Sequence, residues 1–290
     1  MRYLLVLFFY ACAFISNPAI AKNSSDYVTV HLMGQFGNQL FEIATAYAYS
    51  LDHDIPLIIP NLKTETADNI AFNAKKVFLN NITCKSLPHG SKLHWSEPTF
   101  NYHPIPNNNR ISLYGYFQSE KYFKHREKEI RALFAPSKQL TAYLIDKYPF
   151  FSSDSLVVGV QIRDYRKEKP FEDFHPTKKR AYYEEAMSHF SDNTIFVVSS
   201  NNLPFAKECV DGLKPNIIYL QEADYIDEFY ALTLCKSFII SNSTFGWWAA
   251  WLSKSPNKKI IAPYQWFSLP YNNEQMVQDL FPEQFTLIYE

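Results

Sequence analysis

The stretch Phe238-Ile239-Ile240-Ser241-Asn242-Ser243-Thr244-Phe245-Gly246-Trp247-Trp248-Ala249-Ala250-Trp251-Leu252 reads as a buried strand, a hydroxyl-rich turn and an amphipathic helix joined without a spacer. Such a junction leaves the first N–H groups of the helix unpaired and converging on one point, where the helix dipole also favours an anion. Ser243 and Thr244 add two hydroxyl donors there, so the junction suits a phosphate. The competing reading is an ordinary Ser/Thr N-cap in front of a core helix.

The sequence around it decides between α/β and other classes. Apolar runs over 156–162, 194–199, 216–220, 237–241 and 259–262 alternate with helical stretches. That rhythm predicts a parallel sheet with right-handed crossovers and a ligand crevice at the carboxyl ends of its strands. The turn after Ile162 lies at such an end and brings Arg163, whose planar guanidinium can hold phosphate oxygens in a bidentate way. A surface arginine paired with Asp164 or Glu168 is the plainer alternative. Asp164 and Glu168 are also the carboxylates nearest to Arg163 that could accept a proton, with His31 and Glu172 further off. No Asp-x-Asp motif lies in this half, so no metal is implied.

Upstream, a strand is expected over 27–33 and a helix over 38–51, joined by a turn carrying Gly34 and Gly37. Glycine there permits a ligand to approach the main chain. A second strand is expected over 56–59, then an irregular Asn-, Pro- and His-rich segment over 63–106 read as variable surface. A strand over 111–117, one Ser119-capped helix reaching 134, and a helix over 137–148 follow. Residues 149–155 form the best linker, dividing the chain into a first domain (25–150) and a second (155–290) that holds the strand-end crevice.

The 290 residues, 47% hydrophobic and 17% aromatic, suffice for one large domain or two modest ones. A net charge of -1 speaks against a nucleic-acid partner. At the amino end, the apolar run 4–15 followed by Ala19-Ile20-Ala21 has the form of a signal peptide over 1–21, with a membrane anchor as the alternative. Either implies a secretory or exported protein, at the Golgi membrane or lumen in a eukaryote or the cell envelope in a bacterium. Beyond Cys12, only Cys84, Cys209 and Cys235 remain, which allows one disulfide. Asn23, Asn81 and Asn242 begin glycosylation acceptor patterns.

Three segments resemble the alpha-1,2-fucosyltransferases, glycosyltransferases that move L-fucose from GDP-fucose to a galactoside hydroxyl. They are Gly34-Gln35-Phe36-Gly37-Asn38-Gln39-Leu40-Phe41, Tyr114-Gly115-Tyr116-Phe117-Gln118-Ser119-Glu120-Lys121-Tyr122-Phe123 and Asn242-Ser243-Thr244-Phe245-Gly246-Trp247-Trp248, in the family's order. The resemblance implies a GT-B-like fold, two Rossmann-like domains facing a cleft, and GDP-fucose as donor without a metal. It also implies an inverting displacement, a glycan acceptor, and donor contacts at Gly34, Gly37, Asn38, Gln39, Arg163, Asn242, Ser243, Thr244 and Phe245. Where the family reads His-x-Arg-Arg-Gly-Asp, this chain has Gln161-Ile162-Arg163-Asp164, and Arg166 is the nearest substitute for the missing charge. Ser200-Asn201-Asn202 likewise stands where the family tends to carry Ser-Asp-Asp. These departures leave open a transferase with another donor or a protein acceptor, and a non-catalytic glycan-binding protein.

Overall fold

The computed structural model describes residues 25–78, 82–166, 168–169 and 171–289. The leader, Asn23 and Asn81 lie outside them. Two parallel sheets carry the fold. The first has strands β1 (Tyr27–Val30), β2 (Leu93–Ser96) and β3 (Arg110–Tyr114) in the order β1-β3-β2. The second has β4 (Val157–Ile162), β5 (Ile195–Ser200), β6 (Ile217–Tyr219), β7 (Ser237–Ile240), β8 (Ile260–Pro263) and β9 (Phe285–Ile288) in the order β6-β5-β4-β7-β8-β9. All its pairings are parallel. The strand order therefore reverses between β4 and β7, which is where an open α/β sheet places its crevice.

Alternation along β4 divides the core. Val158, Val160 and Ile162 pack with Tyr182, Tyr183 and Phe205 on one face. Val157 faces the other, in a core that runs without a break into the first half of the chain. The contact is made by two helices, Phe36–Asp52 and Thr244–Leu252. Phe41 on the first meets Trp247 and Trp248 on the second at 4.5 and 5.0 Å between ring centroids. The second helix is apolar on all sides because it lies inside this shared core.

Four local expectations are corrected. The single helix from Ser119 breaks at Phe123, which leaves helical angles and buries its ring against Phe41, Trp248 and Trp251. Residues 56–59 make only isolated bridges, Val28 to Leu57 and Ile58 to Thr83. The segment expected to be irregular contributes β2, whose largely exposed Leu93-His94-Trp95-Ser96 lacks an apolar alternation. Cys84, Cys209 and Cys235 are all free.

Candidate active site

A cavity of about 610 Å³ lies at the carboxyl ends of β4 and β7. The first half lines it with Gly34, Gly37, Asn38, Asp68, Tyr116 and Gln118, the second with Arg163, Glu168, Asn242, Ser243, Thr244 and Phe245. Ser243 occupies the N-cap position of helix Thr244–Leu252 in an extended conformation, and its side chain makes no capping bond. The ordinary N-cap reading is thus not observed. The Thr244 hydroxyl donates to Asn38 Oδ1 at 3.0 Å, and Gln118 Nε2 donates to the same oxygen at 3.1 Å. The three resembling segments therefore meet on one amide oxygen. Because its proton goes to Asn38, Thr244 offers this cavity lone pairs rather than the donor expected from sequence.

The two helix N-termini approach so closely that only glycine fits between them. A Cβ on Gly37 would stand 2.5 Å from Thr244 Oγ1 and 2.6 Å from its carbonyl carbon. Gly34 is needed for a different reason, a φ of 68° in the left-handed region. Its N–H donates to Asp68 Oδ2 at 2.9 Å. Gln39 does not line the cavity. Fully buried, it donates to the carbonyls of Gly34 and Asp68, both at 2.9 Å, and so fixes the glycine turn from behind.

On the β4 side, Arg163 Nη2 donates to Glu168 Oε2 at 2.5 Å, with the guanidinium 5.3 Å from the Tyr165 ring centroid. The other Glu168 oxygen accepts from Asn201 Nδ2 at 2.9 Å. A carboxylate at 201 could not make that bond, so the departure Asn201 is matched to Glu168. With both oxygens engaged, Glu168 orients Arg163 rather than standing ready for a proton. Asp164 is buried outside the cavity lining, with bonds of 2.9 and 3.0 Å from Arg166 and 2.7 Å from Asn202. Arg166 above all holds its carboxyl below the usual range, which removes it as a base. Arg166 is committed to Asp164 and to the face of Phe205, outside the cavity, and does not replace the missing arginine. His31 stacks on Tyr114 and Glu172 pairs with Lys169, neither lining the cavity.

The cavity also holds residues that sequence reasoning passed over. Tyr165 ties the two turns together, its hydroxyl donating to Asn242 O at 3.0 Å, and burial pushes it up to about 12. His175 stacks on Tyr165 at 4.8 Å. Burial lowers it to about 4, against a hydrogen bond with the Trp266 backbone, so its ring is neutral at pH 7. Glu228, read as a simple helix-start acid, lines the cavity and accepts from Ser199 Oγ at 2.7 Å; burial raises its carboxyl. Asp68 is the carboxylate lining the cavity from the first half. Nothing in the irregular segment around Asp68, or in Phe174-His175-Pro176, carries a pattern that would have marked them. Among the described residues no group of three His, Cys, Asp or Glu side chains could hold a metal ion. The Asp-x-Asp stretch Asp52-His53-Asp54 closes the helix Phe36–Asp52 and lies away from the cavity, where Asp52 pairs with His125 and Arg126. No helix of the described residues is long and apolar enough to cross a membrane.

Comparison with known proteins gives the site its context. The chain is 29% identical over 240 residues to galactoside alpha-(1,2)-fucosyltransferase 2 of Oryctolagus cuniculus, covering 78% of this chain and 66% of that relative. It thus spans about two thirds of that relative's length. It is 23% identical over 273 residues to the alpha-1,2-colitosyltransferase of Escherichia coli, covering 83% and 92%. Among solved structures, the fucosyltransferase NodZ from Bradyrhizobium aligns with a TM-score of 0.51 at 15% identity, covering 78% of this chain and 92% of that one. That likeness concerns the fold. The family model described as "Glycosyl transferase family 11" matches residues 2–284, a span that includes all three segments converging on Asn38. The chain belongs to glycosyl transferase family 11.

Proposed function

We propose that the chain transfers L-fucose from GDP-fucose to a hydroxyl of a galactoside glycan, forming an alpha-1,2 linkage. The observation that carries this reading is the convergence of the three segments on Asn38, beside an uncapped helix N-terminus and in the same cavity as Arg163. Residues 25–150 face the acceptor and residues 155–290 hold the nucleotide, in the manner of a GT-B enzyme. The diphosphate lies between Arg163 and the start of helix Thr244–Leu252, flanked by Gly34, Gly37, Asn38, Asn242, Ser243 and Phe245. Both groups then act on the charge that grows as the bond to fucose breaks.

Transfer is one inverting displacement. The acceptor hydroxyl attacks the anomeric carbon as the bond to the diphosphate breaks, and the electron pair leaves with GDP. Asp68 takes the hydroxyl proton. It lines the cavity from the first half with one oxygen held by the Gly34 N–H, whereas Glu168 has each of its oxygens engaged, one by Arg163 and the other by Asn201. Arg163 and the start of helix Thr244–Leu252 carry the leaving-group charge without a metal. The leader over 1–21 puts the enzyme on a secretory or envelope route. A relative named for colitosyl transfer favours one second reading, the same chemistry with a different donor sugar.

Calorimetric titration with GDP and GDP-fucose, with UDP and ADP as controls, tests the donor. NMR of the product from methyl β-galactoside tests the linkage. Selective GDP binding and a fucosyl group on O2 are expected. Binding of no nucleotide would leave only the non-catalytic, glycan-binding reading.

A further inference from the structure

A second, smaller cavity of about 250 Å³ opens at the end of the first sheet, lined among others by His31, Asn61, Glu65 and Lys92. Strand register explains why an aromatic platform stands beside it. Val30 pairs with Leu113, and the His31 N–H continues the ladder to Leu113 O at 3.0 Å. His31 is thereby set next to Tyr114, and the rings stack with centroids 5.5 Å apart and planes 24° apart. Tyr114 is 53% exposed.

A single exposed tyrosine is unremarkable. This one is held at a fixed offset from the switch-point cavity. Glu97 Oε2 accepts the N–H groups of Tyr116 and Phe117 at 3.0 and 2.9 Å, and a Cβ on Gly115 would meet Glu97 Cβ at 2.5 Å. The turn is therefore locked, with Tyr114 outside and Tyr116 lining the larger cavity. Just past the end of β1, His31 lines the smaller cavity and Gly34 the larger one. The segments leaving β1 and β3 thus each run from beside one cavity into the lining of the other.

A pyranose ring presents an apolar C–H face and a rim of hydroxyl groups. Stacked aromatic rings match the first; an amide, a carboxylate and an ammonium match the second. We propose that His31 and Tyr114, with Asn61, Glu65 and Lys92 beside them, form a subsite for the second sugar of the acceptor, the ring next to the one that receives fucose. This rests on the glycan-acceptor reading above.

The test compares kcat/KM for β-galactosyl-(1→4)-N-acetylglucosamine with that for methyl β-galactoside, in the wild type, Tyr114→Ala and Tyr114→Trp. The wild type should prefer the disaccharide. Tyr114→Ala should cut that preference about five- to tenfold, through KM, and Tyr114→Trp should restore it. Wild-type transfer with an unchanged preference in Tyr114→Ala overturns the subsite alone. A matching loss of GDP affinity in Tyr114→Ala would mean a collapsed turn and also overturns it. Transfer by the wild type to neither sugar would overturn the functional reading, and the subsite with it.

Discussion

Arg163 and Asp68 show how differently two residues of one cavity could be read from sequence. Arg163 stands out in the sequence because a strand-end arginine in an α/β rhythm has few structural reasons to be there; its pairing with Glu168 bears out the plain reading and leaves it lining the cavity, where the phosphate-binding role is our proposal. Arg163→Lys keeps the charge but loses the planar fork. We expect kcat to fall on the order of a hundredfold, as for loss of one oriented transition-state contact, with a smaller rise in the Kd for GDP by calorimetry. Unchanged kcat would remove the assigned role. Asp68 was not legible, because its place depends on a left-handed turn (φ 50°) inside a segment without periodicity. Asp68→Asn should preserve the bond from Gly34 and abolish the proton acceptor. Single-turnover transfer should then slow by about 10²–10⁴ while GDP-fucose affinity holds. Equal loss of affinity and rate would mark Asp68 as part of the donor's cradle instead.

At the level of elements, five of the six strands of the second sheet, β4 to β8, followed from apolar runs and turn residues, because a doubly covered parallel strand has little freedom in composition; the edge strand β9 (Phe285–Ile288) did not. What could not be read was the contact between helices Phe36–Asp52 and Thr244–Leu252. Periodicity reports which face of a helix is apolar, not which neighbour receives it. In the sequence Gly37 reads as a ligand-side turn residue, yet its stricter task is to let one helix start against the other. Gly37→Ala would push a methyl carbon to within 2.5 Å of Thr244 Oγ1 and 2.6 Å of its carbonyl carbon. Backbone cannot yield as a side-chain tip can, so the helix start has to shift. We expect a stability loss of about 1–3 kcal/mol in urea denaturation together with weaker GDP binding. A variant that loses stability but binds GDP normally would separate this contact from the donor site.

The whole molecule is governed by the core that both halves share. Phe41, Phe123 and Phe134 from the first half surround Trp248 of the second, so far-UV circular dichroism and tryptophan fluorescence should report one coincident unfolding transition. Two separated transitions would mean halves that fold independently. Beside this core, Glu97 supports the turn joining the two cavities, and burial raises its carboxyl from 4.5 to about 7 against three opposing hydrogen bonds. The folded state therefore binds this proton more tightly than the unfolded chain. The resulting stability is fully present below pH 4.5 and is lost as pH rises through 7. His175, lowered from 6.5 to about 4, has the opposite sign: its contribution is present above 6.5 and is lost as pH falls through 4. The two oppose each other between 4.5 and 6.5, so the stability curve of the wild type alone identifies neither. Subtracting the curve of Glu97→Gln, in which His175 is retained, isolates Glu97. The difference in unfolding free energy, wild type minus variant, should decline by about 2–3 kcal/mol from pH 4.5 to 7 and level off above that. A flat difference across the range would show that Glu97 does not titrate there, and that the locked turn has a pH-independent support.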